Sequence, residues 1–405
     1  MISAYSCEPG RGSEGEIGWR TVLALAEQHD VCVLTRANNK AVHERAFAAQ
    51  PRPERLTFEY FDLPWIFRFY KRGKRFYLIY YYLWQVGLIW RARRVCSRFE
   101  PDVVHHLVGG MDWMHAGVAW CPAPFVWGPV GSEETDQGVF KYLNRRERLK
   151  ARVRRGLRGA IRSLDPLNRW TARKAEVILS HTAETLPRRL SPKLVSFPQT
   201  AIVDSTDLAR PRRSTAPSAA LKLVFAGELI DWKGPRIALE GALKYFERGG
   251  QGQMTMVGDG PLRESLEAKA ERSTGGDRVN FTGRVTMPEL IDVLSTSDVF
   301  VYPSYHHGLA TVVLQAMLTG LPTVCISGDA TGRAIKNHAG ITVSVKSEEH
   351  PATGIADALA ALSADEDLRR RLGAQASALV RDKYTYGRQV EGFESVYEGV
   401  LRSVT

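Results

Sequence analysis

The sequence predicts an α/β protein whose two domains are each built on a parallel sheet. Three observations carry this. Val299–Val301 opens a run of β-branched and aromatic residues stopped by Pro303 and Ser304; a short loop with one glycine follows. Thr311–Leu318 then reads as a helix with an apolar face, ended by Gly320 and Pro322, and Thr323–Ile326 is a second buried strand. Such a βαβ unit sets its loop at the carboxyl end of a parallel strand, where open sheets bind ligands, and its helix start offers free N–H groups to a phosphate. The chain opens on the same pattern: a strand at residues 2–5, a glycine-rich stretch over 5–18, a helix over 19–28 and a strand over 31–35. Finally, 405 residues make two domains at roughly 100–200 residues each.

Hydrophobic content of 44% and charged content of 24% are those of an ordinary globular chain. The five cysteines (7, 32, 96, 121 and 325) stand singly, which argues against a zinc site or a disulfide framework. Met1 leads directly into the strand-like Ile2, Ser3, Ala4 and Tyr5, with no basic n-region and no apolar h-region. A reducing cytoplasm is the expected setting. The net charge of +11 is uneven: residues 1–200 hold 32 Lys+Arg against 19 Asp+Glu, leaving 23 against 25 for the rest. The first half therefore suits an anionic partner or presents a solvated basic surface.

In the first half, residues 61–98 interleave aromatics with Lys and Arg, as in Trp65, Phe67, Phe69, Tyr70, Lys71 and Arg72. Two readings fit: a segment at a membrane interface, or a helix whose aromatics enter the core while its cations stay wet. The uncharged run from 76 to 90 is too short and too polar to span a bilayer. Pro101-Asp102-Val103-Val104-His105-His106 reads as a strand ending in histidine, and residues 124–131 as a further strand and glycine loop. Residues 141–174 are strongly basic, with apolar positions at 149, 153, 157 and 160–161, consistent with one amphipathic helix that is mobile or lies on an anionic surface. A late strand covers 176–182, and the Pro- and Arg-rich stretch 208–219 is the expected linker.

The second half holds four ordered motifs between residues 223 and 327. They are Gly227-Glu228-Leu229 with Lys233-Gly234; Gly258-Asp259-Gly260-Pro261; the strand 279–283 leading to Arg284 and Val285; and Pro303-Ser304 with Gly308, Leu314, Ala316 and Met317. This series resembles the donor half of the retaining glycosyltransferases of family 4, which have the GT-B fold. The resemblance implies two Rossmann-like domains facing each other across a cleft. Residues 1–205 would bind the acceptor, 206–385 the nucleotide-sugar donor, and the helix 386–405 would cross back to the first domain. It implies transfer of a sugar from a nucleotide-diphosphate sugar, a UDP- or GDP-sugar, to an acceptor hydroxyl with retention and without a metal or other cofactor. Glycan, lipid-linked and small-molecule acceptors all suit it, at a cytoplasmic site or at the inner face of the membrane.

By the same resemblance, Lys233 grips the donor diphosphate, aided by Gly227, Gly258, Gly260 and the N–H groups of Thr311 and Val312. Arg284 and Val285 meet the base. Gly308, Leu309 and Ala310 orient the sugar, and Gln315 faces the ribose. Lys233, His106 and His307 are the expected catalytic residues, with His105 as the neighbour of His106. Gly12, Ser13, Glu14 and Gly15 form the acceptor-side loop. Two positions depart in charge: His307 and Gln315 replace the glutamates of the Glu-x7-Glu motif. Gln315 still offers hydrogen bonds, at about half the strength of a carboxylate's. Glu228 stands where arginine is expected; Arg333 is its expected partner. The alternative function is a catalytically impaired nucleotide-sugar-binding or scaffold protein. Nucleic-acid binding through the basic half finds no recognised module.

Overall fold

The structure, a computed structural model, describes residues 1–10, 12–68, 76–131, 145–181, 186, 193–203, 220–305, 308–327, 330–335, 338–345 and 350–404. The chain divides into two units, each organised on its own parallel sheet.

The first unit runs β1 (Ile2–Ala4), α1 (Gly12–Leu25), β2 (Val31–Arg36), α2 (Lys40–Ala49), β3 (Leu56–Phe61), α3 (Tyr77–Phe99), β4 (Val104–Val108), β5 (Phe125–Val130), α4 (Arg145–Leu164), α5 (Pro166–Lys174), β6 (Ala175–Ser180) and β7 (Leu194–Ser196). Its strand order is β3-β2-β1-β4-β5-β6-β7. Both faces of the sheet are covered, so its central strands β1, β4 and β5 are buried along their whole length, polar Ser3, His105 and His106 included. The period of two sorts their side chains. Cys32, Leu34, Phe125 and Trp127 face one core, with Tyr80, Tyr81, Trp84 and Leu88 of α3. Val31, Val33 and Val126 face the other, with Trp19 and Val22 of α1.

The aromatic stretch at 61–98 thus splits: Tyr80, Tyr81 and Trp84 are buried, whereas Trp65, Phe76 and Trp90 are exposed. Residues 69–75 lie outside the described residues, as does the linker 208–219. The glycine-rich stretch departs from its expected form, because α1 begins at Gly12 and not near residue 19. A Cβ on Gly18 would lie 2.4 Å from the Ser6 carbonyl oxygen. That glycine lets the helix pass close over the connection from β1.

The second unit runs β8 (Leu221–Ala226), α6 (Pro235–Glu247), β9 (Gly252–Val257), α7 (Arg263–Glu271), β10 (Val279–Gly283), α8 (Met287–Thr296), β11 (Val299–Val301), α9 (Thr311–Leu318), β12 (Thr323–Ile326), α10 (Ala330–Ile335), β13 (Gly340–Val343), α11 (Pro351–Ala364) and α12 (Glu366–Lys383). Its strand order is β10-β9-β8-β11-β12-β13, all parallel. One continuous core lies beneath it, including Phe225, Met254, Phe300, Leu314 and Val324.

The last helix, α13 (Tyr386–Val404), belongs to the first unit. Val390, Phe393 and Val400 enter its core, and Phe393 stacks on Phe197 with ring centroids 4.5 Å apart. The Thr21 hydroxyl donates to Gln389 Oε1 at 3.0 Å, tying α1 to α13.

Candidate functional site

In each sheet the direction of winding reverses once, between β1 and β4 in the first unit and between β8 and β11 in the second. Loops leaving the two strands at such a point diverge and leave a crevice. In the second unit the described parts of those loops are 227–234 and, after β11, 302–305 and 308–310.

The first loop folds so that the Lys233 side chain turns back on it. A Cβ on Gly227 would lie 3.3 Å from Lys233 Cδ, 3.7 Å from its Nζ and 3.7 Å from Tyr302 Cε2. Gly227 has φ +154° and Gly234 φ +74°, so the loop needs glycine at both ends. Gly234 also abuts the other loop: a Cβ there would lie 2.0 Å from the Pro303 carbonyl oxygen. Tyr305 N–H and the Ser304 hydroxyl both donate to the Trp232 carbonyl, at 2.7 and 3.2 Å. These contacts tie the lysine's loop to residues 302–305, which follow β11. Burial lowers the Lys233 pKa, and the nearby Glu228 carboxylate partly offsets this. The ammonium has no hydrogen-bond or ion-pair partner among the described residues. A half-buried cation without a partner is a ready counter-charge for an anion.

Glu228 is exposed and makes no ion pair among the described residues, so the expected pairing with Arg333 is not formed. The carboxylate stays in water, which screens its repulsion of an anion at the crevice.

Gly258 and Gly260 act through the backbone. Gly258 has φ +128°, and a Cβ on it would lie 1.9 Å from the Gly227 carbonyl oxygen. Gly258 N–H donates to Gly283 O at 2.9 Å, and Leu229 N–H to Asp259 O at 2.9 Å. Three loops therefore meet backbone to backbone under the crevice. Arg263, which the sequence reading did not single out, adds a cation at this edge. Its Nη1 lies 2.9 Å from where a Gly283 Cβ would sit, and Glu267 Oε1 accepts from its Nε at 2.8 Å. Its only sequence signal is its place, two residues after Pro261.

Helix α9 begins at Thr311 with Ala310 as its N-cap, and among the described residues no side chain caps it. The Thr311 and Val312 amides open it, with an anion-favouring dipole behind them. Thr200 Oγ1 holds the Leu309 carbonyl at 2.7 Å. Gln315, one turn further along, is buried, and its Nε2 lies 3.2 Å from Met287 Sδ. That contact sets it beside the start of α8, next to Arg284 and Val285. Gly308, Leu309 and Ala310 are half-buried; His307 lies outside the described residues.

The first unit's crevice is filled differently. The strand expected to end at His106 runs on to Val108, because Leu107 and Val108 are also buried. Both histidines are consequently interior. His106 Nε2 lies 3.2 Å from the Tyr81 hydroxyl and its Nδ1 3.3 Å from Ser3 Oγ. Gln85 Nε2 donates to Tyr81 at 3.0 Å, and the Tyr81 hydroxyl also reaches Gly109 O at 3.3 Å. Burial drives the His106 pKa down to about 3 and that of His105 to about 4, so both are neutral. His105 lies 2.6 Å from the Tyr397 hydroxyl of α13. Glu14, in the first turn of α1, accepts from Gly109 N–H at 2.9 Å. Gly12 and Ser13 open the same turn. Gly15 lies against Glu8: a Cβ there would be 3.3 Å from Glu8 O.

Residues 209–378 match a family model described as "Glycosyl transferases group 1". Over 178 residues the chain is 25% identical to the alpha-D-kanosaminyltransferase of Streptomyces kanamyceticus, 44% of this chain and 45% of that one. Over 268 residues it is 27% identical to the 2-deoxystreptamine N-acetyl-D-glucosaminyltransferase of Streptomyces fradiae, 62% of this chain and 59% of that one. The matched stretches thus span about half the length of these relatives. The solved structure of Anabaena Alr3699/HepE in complex with UDP superposes with a TM-score of 0.63, at 13% identity over 98% of this chain and 99% of that one. Residues 209–378 of the second unit thus resemble that family, and the two Rossmann-like units have the GT-B fold.

Proposed function

We propose that the chain is a glycosyltransferase that moves a sugar from a nucleotide-diphosphate sugar to an acceptor hydroxyl. The observation that carries this is Lys233: a half-buried ammonium with no partner among the described residues, on one of the two loops at the sheet's switch point, the other of which leads into α9. A nucleoside diphosphate leaving group matches both features. Its charge is compensated by Lys233 and by the Thr311 and Val312 N–H groups, and such preorganised donors act most strongly where negative charge develops. The glycines at 227, 258 and 260 let the backbone come close to it. Gln315 and the backbone of Arg284 and Val285 suit the ribose and base. The relatives' names and the UDP-bound neighbour agree with a nucleotide-sugar donor.

In this reading the bond from the anomeric carbon to the diphosphate oxygen breaks, and the acceptor oxygen bonds that carbon from the same face. The acceptor proton passes to a phosphate oxygen, which balances the step and retains configuration. The positive charge comes from fixed groups of the chain, so the chemistry is metal-independent. Gly308, Leu309, Ala310 and His307 are assigned to the sugar, and Glu14 with Gly12, Ser13 and Gly15 to the acceptor. His106 is a positioning residue, acting through Tyr81 on Gly109. The acceptor is a glycan, a lipid-linked sugar or a small molecule.

Calorimetry with UDP, GDP and their sugars, followed by a transfer assay, tests the reading. A ligand at ~100 Kd should add about 2.7 kcal/mol of stability. If no nucleoside diphosphate binds, or if Lys233→Ala binds it as well as the parent, the reading fails. Binding without turnover would point to the impaired sugar-nucleotide-binding protein that the two changed glutamates allow.

A further inference from the structure

Helix α4 packs with its polarity largely reversed: among the described residues, Ile161 is its one large aliphatic packed against the first unit's core. Its inward side carries arginine: Arg162 pairs with the buried Asp112 carboxylate at 2.7 Å, and the Arg158 guanidinium lies 5.4 Å from the centre of the Trp113 ring. Its outward side carries aliphatics: Leu149 is 64% exposed, Val153 62%, Leu157 59% and Leu164 75%. At ~100° per residue these four form a stripe about 80° wide. Arg152 and Arg154, both exposed, border it on either side. A helix at home in water shows the opposite arrangement. Here the ion pair to a buried aspartate fixes the helix so that its leucines stay outside.

The surface that covers such a stripe must be apolar beneath and anionic above. The helix holds nine Lys and Arg against one acidic residue, Glu147, so an apolar partner without negative charge would leave the cations unmatched. Acyl chains under anionic head groups meet both demands. No helix among the described residues is long and apolar enough to cross a membrane. At 1.5 Å per residue α4 would lie in the interface over about 30 Å. The α3 start extends the patch: Tyr82 faces Asp165, the residue after Leu164, and Leu78 and Ile79, one turn earlier, are exposed.

We propose that α4 is an in-plane membrane anchor. Leu149, Val153, Leu157 and Leu164 enter the acyl boundary of an anionic lipid surface, and Arg152 and Arg154 meet its phosphates. The inference stands on the first unit alone and does not need the glycosyl-transfer reading.

The test is co-sedimentation of the full chain with vesicles of phosphatidylglycerol mixed with phosphatidylcholine, and with phosphatidylcholine alone. The parent should sediment with the anionic vesicles and lose binding at high salt. Leu149→Ser, Val153→Ser and Leu157→Ser together should cut partitioning ~10-fold or more. Arg152→Gln with Arg154→Gln should weaken it ~10-fold. A dye on Leu157→Cys should shift to the blue on anionic vesicles; the five native cysteines are buried and should not take the label. The dye reports insertion even if the triple variant misfolds. Equal binding by the triple variant, no preference for anionic vesicles, or an unshifted dye would overturn the proposal. So would a dimer of the parent that the triple variant turns into a monomer, because the stripe would then be a protein contact.

Discussion

The two switch points of this chain are built alike and filled oppositely. In the first unit the polar groups satisfy one another: Glu14 holds Gly109, and Tyr81 joins His106, Gln85 and Gly109. In the second, a lysine is half-buried without a partner and a helix start goes without a side-chain cap, both among the described residues. Closed networks rigidify, whereas unmatched charge and open N–H groups ask for a ligand. In the proposed function, strong binding belongs to the second unit, and the first unit's crevice supplies shape and a few fixed polar atoms.

The largest expected effect tests the backbone contact under the second crevice. Gly258→Ala must accommodate a Cβ 1.9 Å from the Gly227 carbonyl at φ +128°. Strain and overpacking together should cost roughly 3–5 kcal/mol, read as a lower urea midpoint. An unchanged midpoint would mean that the three loops can part cheaply.

Next comes Lys233→Ala. Losing the leaving-group cation should lower kcat/KM by ~10² or more with little change in melting. The matching change in the first unit, His106→Ala, should show the reverse: a clear loss of stability and a smaller loss of turnover per folded molecule. If the two variants behave alike, the contrast between the crevices collapses.

Gln315→Leu should weaken nucleoside diphosphate binding by ~1–3 kcal/mol, since a ribose would face an apolar group. Gln315→Glu should keep or tighten it. His307→Ala should spare the bare diphosphate and reduce turnover. Calorimetry with diphosphate and intact donor separates the two positions.

The smallest effect concerns acid. Burial lowers the pKa values of His105, His106 and His115, to about 4, 3 and 4 from 6.5. Their unfolded forms take up protons first as pH falls. The stability they contribute is complete above pH 6.5 and is lost progressively between 6.5 and about 4 for His105 and His115, and down to about 3 for His106. His115 sits between Tyr82 and Trp120, with neither ring nitrogen hydrogen-bonded among the described residues. His115→Phe should therefore make the acid slope shallower by up to ~1.4 kcal/mol per pH unit. Urea melts at neutral and mildly acid pH would show it; parallel losses in variant and parent would discount that histidine.

Much of the second unit was readable in advance because its signals are local. A glycine at positive φ, a Pro-Ser stop and a helix start each leave a mark within a few residues, and together they gave β8 through β12 in order. The first unit was harder, since its decisive facts are contacts between distant residues. The sequence alone placed His106 at a strand end; two further buried residues made it interior. It alone gave α4 a stripe of leucines, and that stripe would ordinarily face inward.

From the sequence by itself came the fold class, the two sheets, the motif order and the charge excess of the first half. All of these follow from periodicity and residue type, which act along the chain. Only the tertiary structure decided that Lys233 lacks a partner among the described residues, that His106 is spent on Tyr81 and Ser3, and that Arg162 turns the leucines of α4 outward. Those are matters of which groups, far apart in sequence, reach each other first, and a buried aspartate outweighs a stripe of leucines once it has captured its arginine.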